Sequence, residues 1–263
     1  MPHDQAGTSK RRTRREFVGL AIAGAGSALA GCSTVAQSED PFDGVAVDGA
    51  ALTVTLTDGV EADALELHSP DGSTFVRQRV RPGTEQSLPL VETGYSSSPE
   101  YYQPGEQTLV VKNDGQRVGE RKLSLAPDVK IADLYLPDDS EFNPVATIEN
   151  VGTGPTLLTY LGFSNVPNPT DPPEETTGVD STPLVPLDTV DVQSGAMPFA
   201  FRKTSSEADS LSCPGRTPVE VTVQTIHGDT TAETFPVRFD GEVEKIFGLS
   251  YRCSEIVVES TEA

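Results

Sequence analysis

From about residue 42 onward the chain is written in period two. Ala51-Leu52-Thr53-Val54-Thr55-Leu56-Thr57 alternates strictly and runs into Asp58-Gly59, the pattern of a half-buried strand closed by a turn. Residues 64–68 and 74–80 flank Ser69-Pro70-Asp71-Gly72-Ser73, and residues 106–112 and 117–125 flank Asn113-Asp114-Gly115. Each pair predicts a hairpin, because Asp-Gly tolerates the positive φ that tight β-turns need. About seven short strands without a helical period predict a β-sandwich over residues 42–126.

Pro127-Asp128 marks a junction, after which a second β segment, 127–259, begins. Residues 129–136 and 144–151 read as its first two strands, 156–163 as the next, and 197–203, 219–226, 233–239 and 249–259 as four more. Between them residues 164–183 hold five prolines (Pro167, Pro169, Pro172, Pro173 and Pro183) and read as a long loop without strand character, where variable function often sits. The two β segments share no sequence repeat beyond general alternation. The expected fold class is all-β, two consecutive sandwiches.

The N-terminus is different. Lys10, Arg11, Arg12, Arg14 and Arg15 precede a weakly apolar stretch, residues 18–30, and then Leu29-Ala30-Gly31-Cys32. That is the tripartite order of an export signal. Thirteen apolar residues make a helix of about 20 Å, short of the roughly 30 Å hydrocarbon core. Within the basic region Arg14-Arg15-Glu16-Phe17-Val18 resembles the twin-arginine export signal, with Phe17 and an aliphatic Val18 in place after the arginine pair. Leu29-Ala30-Gly31-Cys32 resembles a lipobox. The resemblance implies cleavage after residue 31, lipid on Cys32, a tether over residues 32–41, passage through the twin-arginine translocase, and a home on the extracellular face of the membrane.

Charge extends this. The chain carries 19 Lys+Arg against 40 Asp+Glu; residues 1–31 hold five of the basic and two of the acidic ones, leaving 14 against 38, or −24, for the rest. Such a chain repels itself in dilute buffer, and molar salt shortens the range of that repulsion to a few ångströms. With only five lysines after residue 31, it resembles a haloarchaeal secreted lipoprotein. The charge also argues against nucleic acid, which needs basic patches to displace phosphate counterions; Arg77, Arg79, Arg81 and Arg117, Arg121, Lys122 read as a scattered, solvated sheet face.

Of three cysteines, Cys32 is assigned to the lipid, which leaves Cys213 and Cys253 as an even pair in an oxidising compartment. They are expected to form a disulfide; two inert buried thiols are the alternative.

Tyr102-Gln103-Pro104-Gly105-Glu106 before Thr108-Leu109-Val110-Val111 resembles the corner leading into a late strand of immunoglobulin-like domains, which implies a core role for Tyr102. Residues 129–136 with Asn150-Val151-Gly152-Thr153-Gly154 resemble the opening strands of CARDB-like adhesion modules. The likeness covers about 35 residues, and the remainder of the segment departs from it.

Catalytic motifs are missing from the sequence. Only His68 and His227 remain after residue 31, so no local two-histidine metal motif is available. There is no Gly-x-Ser-x-Gly elbow, phosphate loop or dinucleotide glycine pattern. Acidic clusters such as Asp138, Asp139 and Glu141, or Glu174 and Glu175, follow from composition. No cofactor and no metal are expected. The chain reads as a lipid-anchored, non-catalytic interaction or structural module for a surface protein or glycan. The alternatives are an accessory subunit of an exported complex and, behind it, a carboxylate-dependent hydrolase. Tyr95, Tyr101, Asn165, Asn168 and Asp171, in the loops 95–104 and 164–183, are the candidate contact residues.

Overall fold

The structure is a computed structural model describing residues 40–81, 85–92, 100–140, 142–171, 182–194, 196–202 and 210–259. The expected export signal (Arg14, Arg15, Phe17, Val18), the lipobox (Leu29 to Cys32) and Tyr95 lie outside the described residues. The described residues fall in one compact unit and contain no α-helix.

Seven strands build the first sandwich: β1 (Phe42–Asp48), β2 (Ala51–Leu56), β3 (Ala64–His68), β4 (Thr74–Arg79), β5 (Gln86–Pro89), β6 (Gly105–Asn113) and β7 (Gln116–Leu125). They form two antiparallel sheets, β1-β2-β5 and β4-β3-β6-β7. Alternation drives the inner faces together: Leu52 and Val54 from one sheet meet Leu65, Leu67, Leu109 and Val111 from the other, all at most 1% exposed. The Asp-Gly signals act as expected. Asp114 (φ 47°) and Gly115 (φ 76°) are both left-handed between the paired Asn113 and Gln116, the two-residue turn whose twist suits a hairpin.

The second sandwich has β8 (Val129–Tyr135), β9 (Val145–Asn150), β10 (Thr156–Ser164), β11 (Thr182–Leu184), β12 (Thr189–Gln193), β13 (Phe201–Arg202), β14 (Gly215–Thr225), β15 (Thr230–Phe247) and β16 (Ser250–Val258). Its sheets are β12-β9-β8 and β11-β10-β14-β15-β16-β13. Strip β16 and β13 from the larger sheet and the strand order of the first sandwich returns, strand for strand. The repeat is one of topology, invisible to residue comparison because many different apolar residues satisfy the same alternation.

Four expectations are corrected here. Pro183 lies in a strand, β11, which pairs with β10 alone, and a sheet edge tolerates the missing N–H. β12 arises from Thr189-Val190-Asp191-Val192-Gln193, an alternation overshadowed by the prolines before it. Of the expected strand at 197–203, the described residues 197–202 give strand only at Phe201–Arg202, since Met197 is left-handed (φ 51°) and its carbonyl accepts from the Ala200 N–H in a turn. Finally, β15 does not stop at Phe239: Asp240-Gly241 is a bulge, with Gly241 at φ 83° and the register shifting before Val243, rather than a turn.

Cys213 and Cys253 are disulfide-bonded, with Cα atoms 5.8 Å apart. Cys213 precedes β14 and Cys253 lies in β16, so the bridge ties together the two strands that flank β15.

Candidate functional site

The expected contact residues do not gather at one place. Asn165 is left-handed (φ 58°) and its amide donates to the Pro218 carbonyl at 3.1 Å. Asn168 donates to the carbonyls of Ala196 (2.7 Å) and Met197 (3.4 Å), and the Asp171 carbonyl accepts from the Tyr160 hydroxyl at 2.9 Å. These groups pin residues 165–171 to the second sandwich. Tyr101, 41% exposed, stands edge-on to His227 with ring centroids 5.2 Å apart, so it belongs to the seam between the sandwiches.

That seam starts at Asn150. Its Oδ1 accepts from the N–H groups of Asp128 (3.1 Å) and Gly152 (3.0 Å), while its Nδ2 donates to the carbonyls of Gly154 (2.9 Å) and Leu184 (3.3 Å). All four bonding positions of the amide are used. Thr153 continues the closure: its N–H donates to the Ala126 carbonyl at 2.8 Å, and its hydroxyl donates to the Ser124 carbonyl at 2.8 Å and accepts from the Ala126 N–H at 3.1 Å. The connection Ala126-Pro127-Asp128 is thus stitched to the β9–β10 turn.

Side chains complete the contact. Leu157 belongs to the first sandwich's core while its neighbour Leu158 belongs to the second's, and Ile226 packs against the first core. Tyr102 is fully buried in the first core as the immunoglobulin-like corner implies, yet its ring also meets His227 edge-on at 5.0 Å. Its hydroxyl lies so close to Gly154 that a β-carbon there would fall 1.9 Å from the oxygen. The Tyr102 hydroxyl and His227 Nδ1 are buried without a hydrogen-bond partner among the described residues. Burial pushes the Tyr102 hydroxyl's pKa up. Burial also holds His227 below its usual pKa, outweighing the Pro155 carbonyl and the Asp229 carboxylate.

A second group of titratable residues sits on the outer face of the β4-β3-β6-β7 sheet. Glu66, only 4% exposed, receives Lys112 Nζ at 2.8 Å and His68 Nε2 at 2.9 Å, with Arg77 Nε at 3.6 Å. The bonds from Lys112 and then His68 lower its pKa against the opposing effect of burial. A nearly buried anion compensated by three cationic or proton-donating neighbours is a structural hub of this sheet face. Among the described residues no three His, Cys, Asp or Glu side chains stand together as a metal site. His68 is Glu66's neighbour on β3, but Arg77 and Lys112 come from β4 and β6, so the sequence by itself does not single out Glu66.

The β15–β16 tip is equally silent in sequence. Phe247 and Leu249 are 50% and 55% exposed around Gly248, an apolar point on an otherwise charged hairpin.

The fold and these surfaces define a class, tandem immunoglobulin-like β-sandwiches joined by a bonded seam. No family model and no curated protein matches the sequence. Among solved structures, the chain is similar to a glycosyl hydrolase family 2 member from Bacteroides cellulosilyticus DSM 14838, at 14% identity and a TM-score of 0.22, over 71% of this chain and 24% of that one. A second structure of a family 2 member from Bacteroides cellulosilyticus, from microfluidic crystals, gives 14% identity and a TM-score of 0.21 over 72% and 23%. The chain therefore spans about a quarter of the length of those proteins. Likeness at this level carries no argument about what the chain does.

Proposed function

We propose that this chain is a membrane-anchored extracellular lipoprotein, a non-catalytic module that presents binding surfaces to a surface protein or glycan. The observation that carries the reading is the seam. The buried Leu157 and Tyr102, the half-buried His227, and the hydrogen bonds of Asn150 and Thr153 join the two sandwiches, and a bonded pair of sandwiches suits a protein that projects surface from a tether. At the start of the described chain Asp40 pairs with Arg121, whose guanidinium also lies 5.0 Å from the Phe42 ring centroid. A tether arriving there would enter a clamped first strand. The signal-like residues 1–31 and Cys32 support export and anchoring, and the exposed Phe247 and Leu249 support an interaction role.

The test is fractionation of native cells expressing the full chain beside Cys32→Ser and an Arg14→Lys/Arg15→Lys pair, followed by co-purification at molar salt. Anchoring that is lost with Cys32→Ser, and export that is lost with the arginine pair, would support the reading. A Cys32→Ser variant that stays in the membrane fraction would end it.

A further inference from the structure

The cations that look scattered along the sequence come into register on one sheet face. Residues 32–263 hold 14 basic residues, and seven of them (Arg77, Arg79, Arg81, Lys112, Arg117, Arg121 and Lys122) belong to the first sandwich. Strand pairing sets Arg79 opposite Ala64, Ala64 opposite Lys112, and Lys112 opposite Arg117. Paired positions share a face, and the alternate residues Leu65, Leu67, Leu109 and Val111 point into the core. The row Arg79–Ala64–Lys112–Arg117 therefore crosses the outer face of all four strands, one residue per strand at about 4.8 Å spacing.

Two further rows on one side of it add Arg77 with Glu66 and Glu120, and then His68 with Lys122. Carboxylates only partly offset the cations: Glu66 takes Lys112 and Arg77, Glu120 takes Arg117, and Glu106 takes Lys122. Arg79 has no ion pair among the described residues, and it is exposed. A surface hollow of about 590 Å³ opens there, lined by Arg77 and Arg79 together with Ala62, Asp63, Ala64 and Val80. Like charges on neighbouring strands, such as Lys112 beside Arg117, cost stability. In a chain this acidic, such a row runs against composition.

We propose that this row binds an acidic polysaccharide through its carboxylates or sulfates. The inference rests on the binding-module reading and gives it a ligand class. A hydrated chain with repeated negative charge matches three cations on one row, Arg79 two strands from Lys112 and Lys112 one strand from Arg117. A protein partner matches less well, since the apolar members of these rows, Ala64 and Val110, are 3% and 0% exposed, and protein interfaces need an apolar core to desolvate. The rows also carry no exposed aromatic side chain on which a nucleobase would stack. At molar salt the screening length is about 3 Å, so only direct contacts persist; arginine's planar fork makes such contacts with carboxylate or sulfate.

The experiment is calorimetric titration of the purified full chain with polygalacturonate, dextran sulfate and neutral dextran, at about 0.15 M and molar salt. It does not depend on lipidation of Cys32, so it can fail or succeed separately from the anchoring reading. The expected result is binding to one or both acidic polymers over neutral dextran, the two arms deciding between carboxylate and sulfate. Arg79→Glu with Arg117→Glu is expected to weaken that binding at least tenfold, about 1.4 kcal/mol or more. A charge-matched control on the second sandwich, Lys130→Glu with Arg216→Glu, is expected to change it less than about twofold on the same scale. Should the double variant fail to fold, Arg79→Gln alone is expected to weaken binding by several-fold. Equal affinity for neutral dextran, or an equal loss in the control, overturns the proposal. So does self-association of the wild type that Arg79→Glu/Arg117→Glu abolishes, which would make a second copy of this acidic chain the occupant.

Discussion

Asn150 shows how much one side chain holds. Replacing it with Ala removes four hydrogen bonds and strands the N–H groups of Asp128 and Gly152 and the carbonyls of Gly154 and Leu184. At about 1 kcal/mol net per bond, less what relaxation and water recover, Asn150→Ala is expected to lose about 3 kcal/mol, read from the urea midpoint. Asn150→Asp should not restore it, because a carboxylate has no N–H for the two carbonyls. The Asn-x-Gly-x-Gly spelling announces a turn. It does not announce that a β-carbon on Gly152 would meet the Ala126 carbonyl at 2.3 Å and the Asp128 nitrogen at 2.4 Å. His227 makes a prediction in pH. Its pKa is depressed below 6.5 in the folded state, chiefly by burial, so the unfolded chain takes up the proton first. Its contribution is therefore complete above about pH 6.5 and is lost as pH falls from there toward the folded pKa. Thermal melts of the wild type should drop across that window, and His227→Gln should flatten the slope there.

At the scale of elements, β15 and its neighbours separate what pattern reveals from what it hides. Asp240-Gly241 spells a turn, yet the chain continues as a strand because β16 pairs on both sides of the bulge. The Ser254 hydroxyl there accepts from the Glu242 N–H at 3.1 Å. A bulge and a turn use the same left-handed glycine, and only the partner strand distinguishes them. The Cys213–Cys253 bridge spans 40 residues of sequence and closes a loop worth up to ~4 kcal/mol on the chain-entropy estimate. Cys213→Ser with Cys253→Ser is expected to lower the second sandwich's stability by about 2–4 kcal/mol. Denaturant melts of the double variant and of reduced wild type should coincide. Arg77 and Arg79 are visible in sequence as alternating cations on one strand; that Lys112 and Arg117 join them depends on the pairing of β3 with β6 and β6 with β7.

For the whole molecule, the seam decides whether two sandwiches behave as one. Leu157 and Leu158 are adjacent residues buried in different cores, and Tyr102 reaches from the first core to Gly154. Coupling of this kind predicts a single calorimetric transition for the wild type. Tyr102→Ala removes the ring that meets His227 and leaves a cavity worth about 3–5 kcal/mol. It is expected to split that transition in two, with the first sandwich melting earlier and the disulfide-bonded second sandwich near its original temperature.

The sequence alone determined that this chain is all-β, where its Asp-Gly hairpins turn, that two sandwiches follow one another, and that Cys213 and Cys253 were free to pair. Those features are local, set by side-chain period and by the φ a turn residue tolerates. Tertiary structure decided the rest: the shared strand topology, the extension of β15 through its bulge, the four bonds of Asn150, the Tyr102–His227 contact and the cation row across four strands. Each depends on which strand lies beside which, and a period of two fits many partners equally well until packing selects one.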